Sequence, residues 1–246
     1  MSIHPPRTLA ARLLGGLLLL AAVAACSTAP TSSGTETAPS QAFGIDLTGK
    51  RIVFVLDVSG SMEYKDEVSP SGVVYSRARD AVTAKLPDYV RGMVGAEIDK
   101  RTTKLAAARR ALADGINLLD NSRHFQIVLF SNAVKDWQRE PVKATAENKA
   151  AAIRFLDGLA TNGGTSAKAA LEHAMRIPGV DQMVFISDGR PTDAKSDLIL
   201  KSVQAANARK GVKIYAVGLG DDQDKEFMEA LAAQNRGSYV RRSGLF

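Results

Sequence analysis

A single cysteine in 246 residues leaves nothing for an intrachain disulfide to form from. A chain of this length can bury a core without such staples. Histidine is scarce too: His4, His124 and His173 stand alone, without the spacing of metal ligands. No dense Lys/Arg block with interleaved aromatics occurs, which leaves nucleic acid unsupported as a partner. The phosphate-cradling run of P-loop enzymes is missing, and so is the G-x-S-x-G elbow of α/β-type serine hydrolases. Gly218-Leu219-Gly220 opens like a dinucleotide-binding turn, but Gln223 stands where the third glycine belongs, so a tight turn is the reading. Only one stretch is apolar enough to enter a bilayer, which excludes a multi-pass membrane protein. With 45% hydrophobic and 24% charged residues, the composition is that of one globular domain with some chain to spare.

That apolar stretch is at the start. Arg7 and Arg12 precede Leu13 to Ala25, an uncharged run too short to span a bilayer comfortably. A basic start, a short apolar core and small residues at its end predict a secretory signal over 1–25. Its removal takes the formal charge from +6 to 6 − 2 = +4, with both signs interspersed. Val23-Ala24-Ala25-Cys26 resembles the bacterial lipobox, which implies a lipid on Cys26 and anchoring in a bacterial envelope membrane. Ser27, rather than Asp, then leans toward the outer membrane if the cell is Gram-negative. Residues 26–44 are rich in Ser, Thr, Ala and Pro and read as a flexible tether.

From residue 45 to 246 the pattern is that of a folded domain. Arg51 to Leu56, Phe125 to Phe130, Gln182 to Ile186 and Val212 to Val217 are continuous apolar, β-branched runs, as expected of strands buried on both faces. Ser238 to Arg241 is a weaker fifth. Helical spacing fills the gaps over 104–119, 146–159, 166–175, 197–208 and 224–233. The alternation predicts an α/β fold, a doubly wound, Rossmann-like and mainly parallel sheet flanked by helices. Ligands of such folds sit beyond the carboxyl ends of the strands. Residues 62–101 break the alternation and read as an insertion after the first strand, with a helical part broken near Pro87.

Directly after the first strand stands Asp57-Val58-Ser59-Gly60-Ser61-Met62, a D-x-S-x-S motif. Gly163-Gly164-Thr165-Ser166 opens a later helix, and Ser187-Asp188-Gly189 ends the third strong strand. In this order the three segments resemble the metal-ion-dependent adhesion site of von Willebrand factor type A domains, the fold also found in integrin I domains. The resemblance covers about Gly49 to Arg242, with the insertion as its main departure. It implies a site for Mg²⁺, or Mn²⁺ or Ca²⁺, in which Ser59, Ser61 and Thr165 coordinate through hydroxyls. Asp57 and Asp188 bind through water or accept hydrogen bonds from the ligating groups. Hydroxyls and carboxylates suit a hard cation that takes about six oxygens. Gly60, Gly163 and Gly164 allow the loops to close in.

Two carboxylates leave a divalent ion partly unquenched. The resemblance implies that an Asp or Glu of a protein partner fills the remaining position. Arg190 and Asp193, beside the third loop, are candidate partner contacts. His124, His173 and Trp137 read as surface or packing residues. The expected function is therefore a membrane-anchored, metal-bridged binding module and not an enzyme, since no convincing general base accompanies the motif. The alternative is a structural subunit of an envelope assembly with a mainly structural metal site.

Overall fold

The computed structural model describes residues 41–64, 81, 83–87, 90–91 and 103–242. The expected signal, Cys26, the expected tether up to residue 40 and most of the expected insertion lie outside the described residues. Among those described, no helix is long and apolar enough to cross a membrane.

The chain enters through a small hairpin, β1 (Gln41–Ala42) and β2 (Ile45–Asp46), paired antiparallel. Phe43 and Gly44 form its two-residue turn with φ of 57° and 74°, the left-handed conformations that such a turn uses. A phenylalanine is unusual there. Its ring is buried against Ile45 and Leu47 in the core, which offsets the strain. The last four residues of the expected tether, Gln41 to Gly44, therefore belong to the folded unit. One aromatic side chain outweighs the surrounding Ser/Thr/Pro composition.

The main elements then follow as β3 (Arg51–Asp57), a 3-10 turn (Gly60–Glu63), α1 (Lys104–Leu118), β4 (His124–Phe130), β5 (Val134–Asp136) and β6 (Val142–Lys143). After these come α2 (Ala146–Asp157), α3 (Ala167–Arg176), β7 (Gln182–Ser187), α4 (Ser196–Asn207), β8 (Lys213–Leu219), α5 (Lys225–Gln234) and β9 (Tyr239–Arg242). The sheet order is β5-β4-β3-β7-β8-β9, with β6 also on β4. Strands β4, β3, β7, β8 and β9 run parallel. The short β5 and β6 pair antiparallel with β4. This is the doubly wound α/β architecture that the alternation predicts.

Side chains alternate across the strands. Ile52, Phe54 and Leu56 of β3 face Leu105, Ala108, Leu112 and Ile116 of α1 and Leu156 of α2. Val53 and Val55 face the other way, into a core closed by α3, α4 and α5. Both faces of β3 are buried, so the strand reads in sequence as one unbroken apolar run. Helices α1, α2 and α5 begin on side-chain caps, Thr103, Thr145 and Asp224, which accept from the amides of Ala106, Asn148 and Phe227.

Strand β3 lies between β4 and β7, and the chain winds outward from it in both directions. The carboxyl ends of β3 and β7 thus flank the switch point, where ligand crevices form in open α/β sheets.

Candidate metal centre

Three loops meet at those strand ends. Asp57 closes β3, and its Oδ1 accepts the amide of Ser59 at 2.8 Å, bending the chain sharply. The Gly60 amide reaches the Gly163 carbonyl at 3.0 Å, and the Asn162 amide reaches the Val58 carbonyl at 2.8 Å. Loop one is thereby zipped to loop two. A Cβ on Gly163 would stand 2.3 Å from the Asn132 amide, at a φ of 70°, so glycine is needed there. Asn132 Oδ1 in turn accepts the Gly164 amide at 2.7 Å. Loop two is tied to loop three by a reciprocal pair. The Thr165 amide donates to Thr192 Oγ1 at 3.0 Å, and the Thr192 amide donates to the Thr165 carbonyl at 2.9 Å.

The polar side chains converge at this junction. Ser59 Oγ and Ser61 Oγ are 3.1 Å apart. Ser61 Oγ donates to Asp188 Oδ1 at 2.8 Å. Ser187 Oγ donates to Asp57 Oδ2 at 2.5 Å. A Cβ placed on Gly189 would lie 3.5 Å from Ser61 Oγ and 3.6 Å from Thr165 Oγ1. Both hydroxyls therefore border the space that the missing side chain leaves open. An octahedral ion with bonds near 2.1 Å places adjacent ligand oxygens about 3 Å apart. The Ser59–Ser61 spacing fits that figure, and the donors are neutral hydroxyls backed by carboxylates, the chemistry of a hard cation site. Among the described residues no group of three or more His, Cys, Asp or Glu side chains could hold a metal ion, so an ion here would have to draw on the serine and threonine hydroxyls as well as the carboxylates.

The electrostatics are dominated by two carboxylates with no exposure, Asp57 and Asp188. Burial pushes the Asp57 carboxyl up to about 6. Hydrogen bonds from Ser187 and Ser59 work against that rise, and the charge of Asp188 adds to it. Asp188 has a partner that the sequence reading missed. Lys104 Nζ donates to Asp188 Oδ2 at 2.9 Å and to Asp222 Oδ1 at 2.7 Å. Burial of the lysine disfavours its charge, but the bonds to Asp188 and Asp222 outweigh that effect, and its pKa is raised.

The structure thus brings Asp57, Ser59, Ser61, Thr165 and Asp188 together. It treats the two candidate partner contacts differently. Arg190 is exposed on the third loop and has no partner among the described residues. The Asp193 carboxylate accepts the Lys168 and Ala169 amides at 3.2 and 3.0 Å and so serves the first turn of α3. Lys104, Asn132 and Thr192 had no role in the sequence reading, and Ser187 figured there only as part of its strand-end motif. A signal for Lys104 existed: a cation at the first position of a helix opposes the helix dipole and calls for a carboxylate nearby. His173 is away from the site, its Nε2 2.9 Å from both oxygens of Asp136. Trp137 is half-buried and stacks on Phe125 with centroids 5.3 Å apart.

Comparison with known families decides the lineage. The family model described as von Willebrand factor type A domain matches residues 97–241. The chain belongs to this family. The match begins inside the insertion and so omits β3 and the D-x-S-x-S turn, which the geometry nonetheless seats against the matched loops. Human inter-alpha-trypsin inhibitor heavy chain H2 is 25% identical over 214 residues, 81% of this chain and 18% of that protein. The bovine heavy chain H1 is 28% identical over 156 residues, 56% of this chain and 17% of that protein. The chain thus spans under a fifth of the length of these relatives. Among solved structures, a von Willebrand factor type A protein from Catenulispora acidiphila has a TM-score of 0.58 at 19% identity, covering 78% of this chain and 38% of that one. The BatB protein of Bacteroides thetaiotaomicron has a TM-score of 0.54 at 17% identity, covering 80% and 91%.

The raised Asp57 carboxyl gives this von Willebrand factor A domain a pH signature. Between about pH 4 and 6 the folded state holds a proton that the unfolded state has released, so stability falls as pH rises through that window. At 1.36 kcal/mol per pH unit, the loss approaches about 3 kcal/mol above pH 6. Urea unfolding in EDTA at pH 4 to 7 is expected to show this loss in the wild type. Asp57→Asn is expected to flatten that part of the profile, and parallel profiles for the two proteins would contradict the assignment.

Proposed function

We propose that the chain is a membrane-anchored binding module of the bacterial envelope. Its von Willebrand factor A domain holds a divalent cation, Mg²⁺ or else Mn²⁺ or Ca²⁺, and through it binds an Asp or Glu of a protein partner. Ser59, Ser61 and Thr165 supply hydroxyl oxygens. Asp57 and Asp188 supply charge and hold the hydroxyls in place. The observation that carries this reading is the 3.1 Å Ser59–Ser61 hydroxyl pair, with Ser61 and Thr165 bordering the gap at Gly189 and two buried carboxylates behind them. When bound, the ion contributes one electrophilic position for an oxygen ligand. The chain's own part is to fix the loops, through Gly60–Gly163 and Thr165–Thr192, and to leave Arg190 exposed beside them for an acidic partner.

We assign no catalytic role. The described histidines are placed elsewhere, and a lipid on Cys26 anchors the chain in the membrane, on the periplasmic face of the outer membrane in a Gram-negative cell. A structural subunit of an envelope assembly is the competing reading.

Affinity capture from membranes with the full chain in millimolar Mg²⁺ is the test. Partner release by EDTA, and loss of capture when one partner Asp or Glu is changed to Ala, are expected. Stoichiometric partners that survive EDTA and every such change would favour the structural subunit instead. Turnover of a phosphoester panel that vanished in Asp57→Ala would overturn the non-enzymatic assignment.

A further inference from the structure

We infer that Lys104 is a built-in rival of the metal ion: its ammonium binds Asp188, competes there with a divalent cation and sets the affinity of the site low. The inference rests on reading the Ser59, Ser61 and Thr165 cluster as a divalent-cation site.

Lys104 is 7% exposed and its Nζ lies 2.9 Å from Asp188 Oδ2. The other oxygen of Asp188 accepts from Ser61 Oγ. Both oxygens of the carboxylate therefore have partners within the protein. Asp222, on the turn after β8, takes a second ammonium proton at 2.7 Å. Gly220 packs on the lysine stem, since a Cβ there would stand 2.8 Å from Cε. The side chain is thus held from three sides.

Its backbone position offers no reason for a cation. Lys104 opens α1, whose first turn has no acidic residue, so the charge sits against the positive end of the helix dipole. Asp188 and Asp222 supply the compensation. Three consequences follow for a divalent ion. It meets a carboxylate already neutralised by a neighbour. It must approach a second positive charge where water screens little. It can use Asp188 Oδ2 only by displacing the ammonium. All three weaken metal binding. In return, Lys104 gives the two buried carboxylates a counter-charge of the protein's own.

A purely positioning lysine would act in the opposite direction, since losing a hydrogen bond to Asp188 would loosen the site and weaken the metal. The sign of the effect separates the two roles.

The test is Mn²⁺ titration of the full chain by calorimetry, with thermal unfolding in EDTA alongside. Lys104→Met and Lys104→Gln are expected to bind Mn²⁺ at least tenfold more tightly than the wild type. Lys104→Gln, which keeps an amide donor toward Asp188, carries the measurement if Lys104→Met does not fold in EDTA. Lys104→Arg, which keeps the charge, is expected to stay within about threefold of the wild type. Both neutral variants are expected to melt earlier in EDTA. Wild-type binding with equal or weaker binding in the neutral variants would overturn the role given to Lys104 and leave the metal site standing. Binding in none of the proteins would overturn the cation-site reading and this inference with it.

Discussion

Asp188→Ala is expected to destabilise the metal-free chain by about 3 kcal/mol, the low end of what removing one partner of a buried ion pair costs. The Lys104 and Asp188 side chains are 6% and 0% exposed. Neither can recover full hydration when the other is lost. Removing the carboxylate leaves an ammonium at a helix N-terminus with only Asp222, whose side chain is 62% exposed and well solvated. That remaining contact keeps the cost near the bottom of the range. Urea unfolding in EDTA measures it as a lower midpoint with an unchanged slope. The double variant Asp188→Ala/Lys104→Met is expected to recover about 2 kcal/mol of the loss, since it removes the stranded charge too. A single variant within about 0.5 kcal/mol of the wild type would mean that the ammonium finds water, and the contact would then carry no stability.

The second large effect requires metal. A ligand that binds only the folded state stabilises it by RT ln(1 + [L]/Kd), about 2.7 kcal/mol at a hundredfold excess over Kd. Wild-type chain in Mg²⁺ or Mn²⁺ is expected to show a rise of that size over EDTA. Ser59→Ala/Ser61→Ala is expected to show none. In EDTA the same variant should lose only about 1 kcal/mol, because the hydroxyls give up a mutual contact and one bond to Asp188, and no charge is removed. The contrast between a small loss without metal and a full loss of the metal response is the signature of direct ligands. Equal metal responses in the two proteins would place the ion elsewhere.

The sheet was legible because its central strands are buried on both faces. Runs such as Arg51 to Leu56 and Gln182 to Ile186 have no polar interruption, and they became β3 and β7 to within a residue. The five helices showed their apolar spacing equally clearly. The short strands were not legible. Val134–Asp136 and Val142–Lys143 lie along β4 with half-exposed or exposed side chains, so no apolar pattern marks them. Gln41–Asp46 was hidden by its surroundings, since only Phe43 and Ile45 announce a hairpin among polar neighbours.

At the site, the residues with a motif were readable and those without one were not. Asp57, Ser59 and Ser61 lie within one turn, and Thr165 and Asp188 each follow a glycine or end a strand. Lys104 is 84 residues from Asp188, and Asn132 is 32 residues from Gly164. Contacts of that range follow from strand order, which no local pattern spells out. Asp193 shows the converse limit. Its place beside the loop was readable, but its service to the α3 amides depends on where the loop turns.

The pairing of the three loops also bears on time. The Ser61–Asp188 contact joins positions 127 residues apart, and the Gly60–Gly163 and Thr165–Thr192 bonds close on the same point. The Ser61–Asp188 bond cannot form until the ends of β3 and β7 lie side by side. Contacts made late in folding slow unfolding and leave the folding rate nearly untouched. If the junction forms late, a cation bound here would act as a latch on the finished fold, lengthening the life of the native state without hastening its formation.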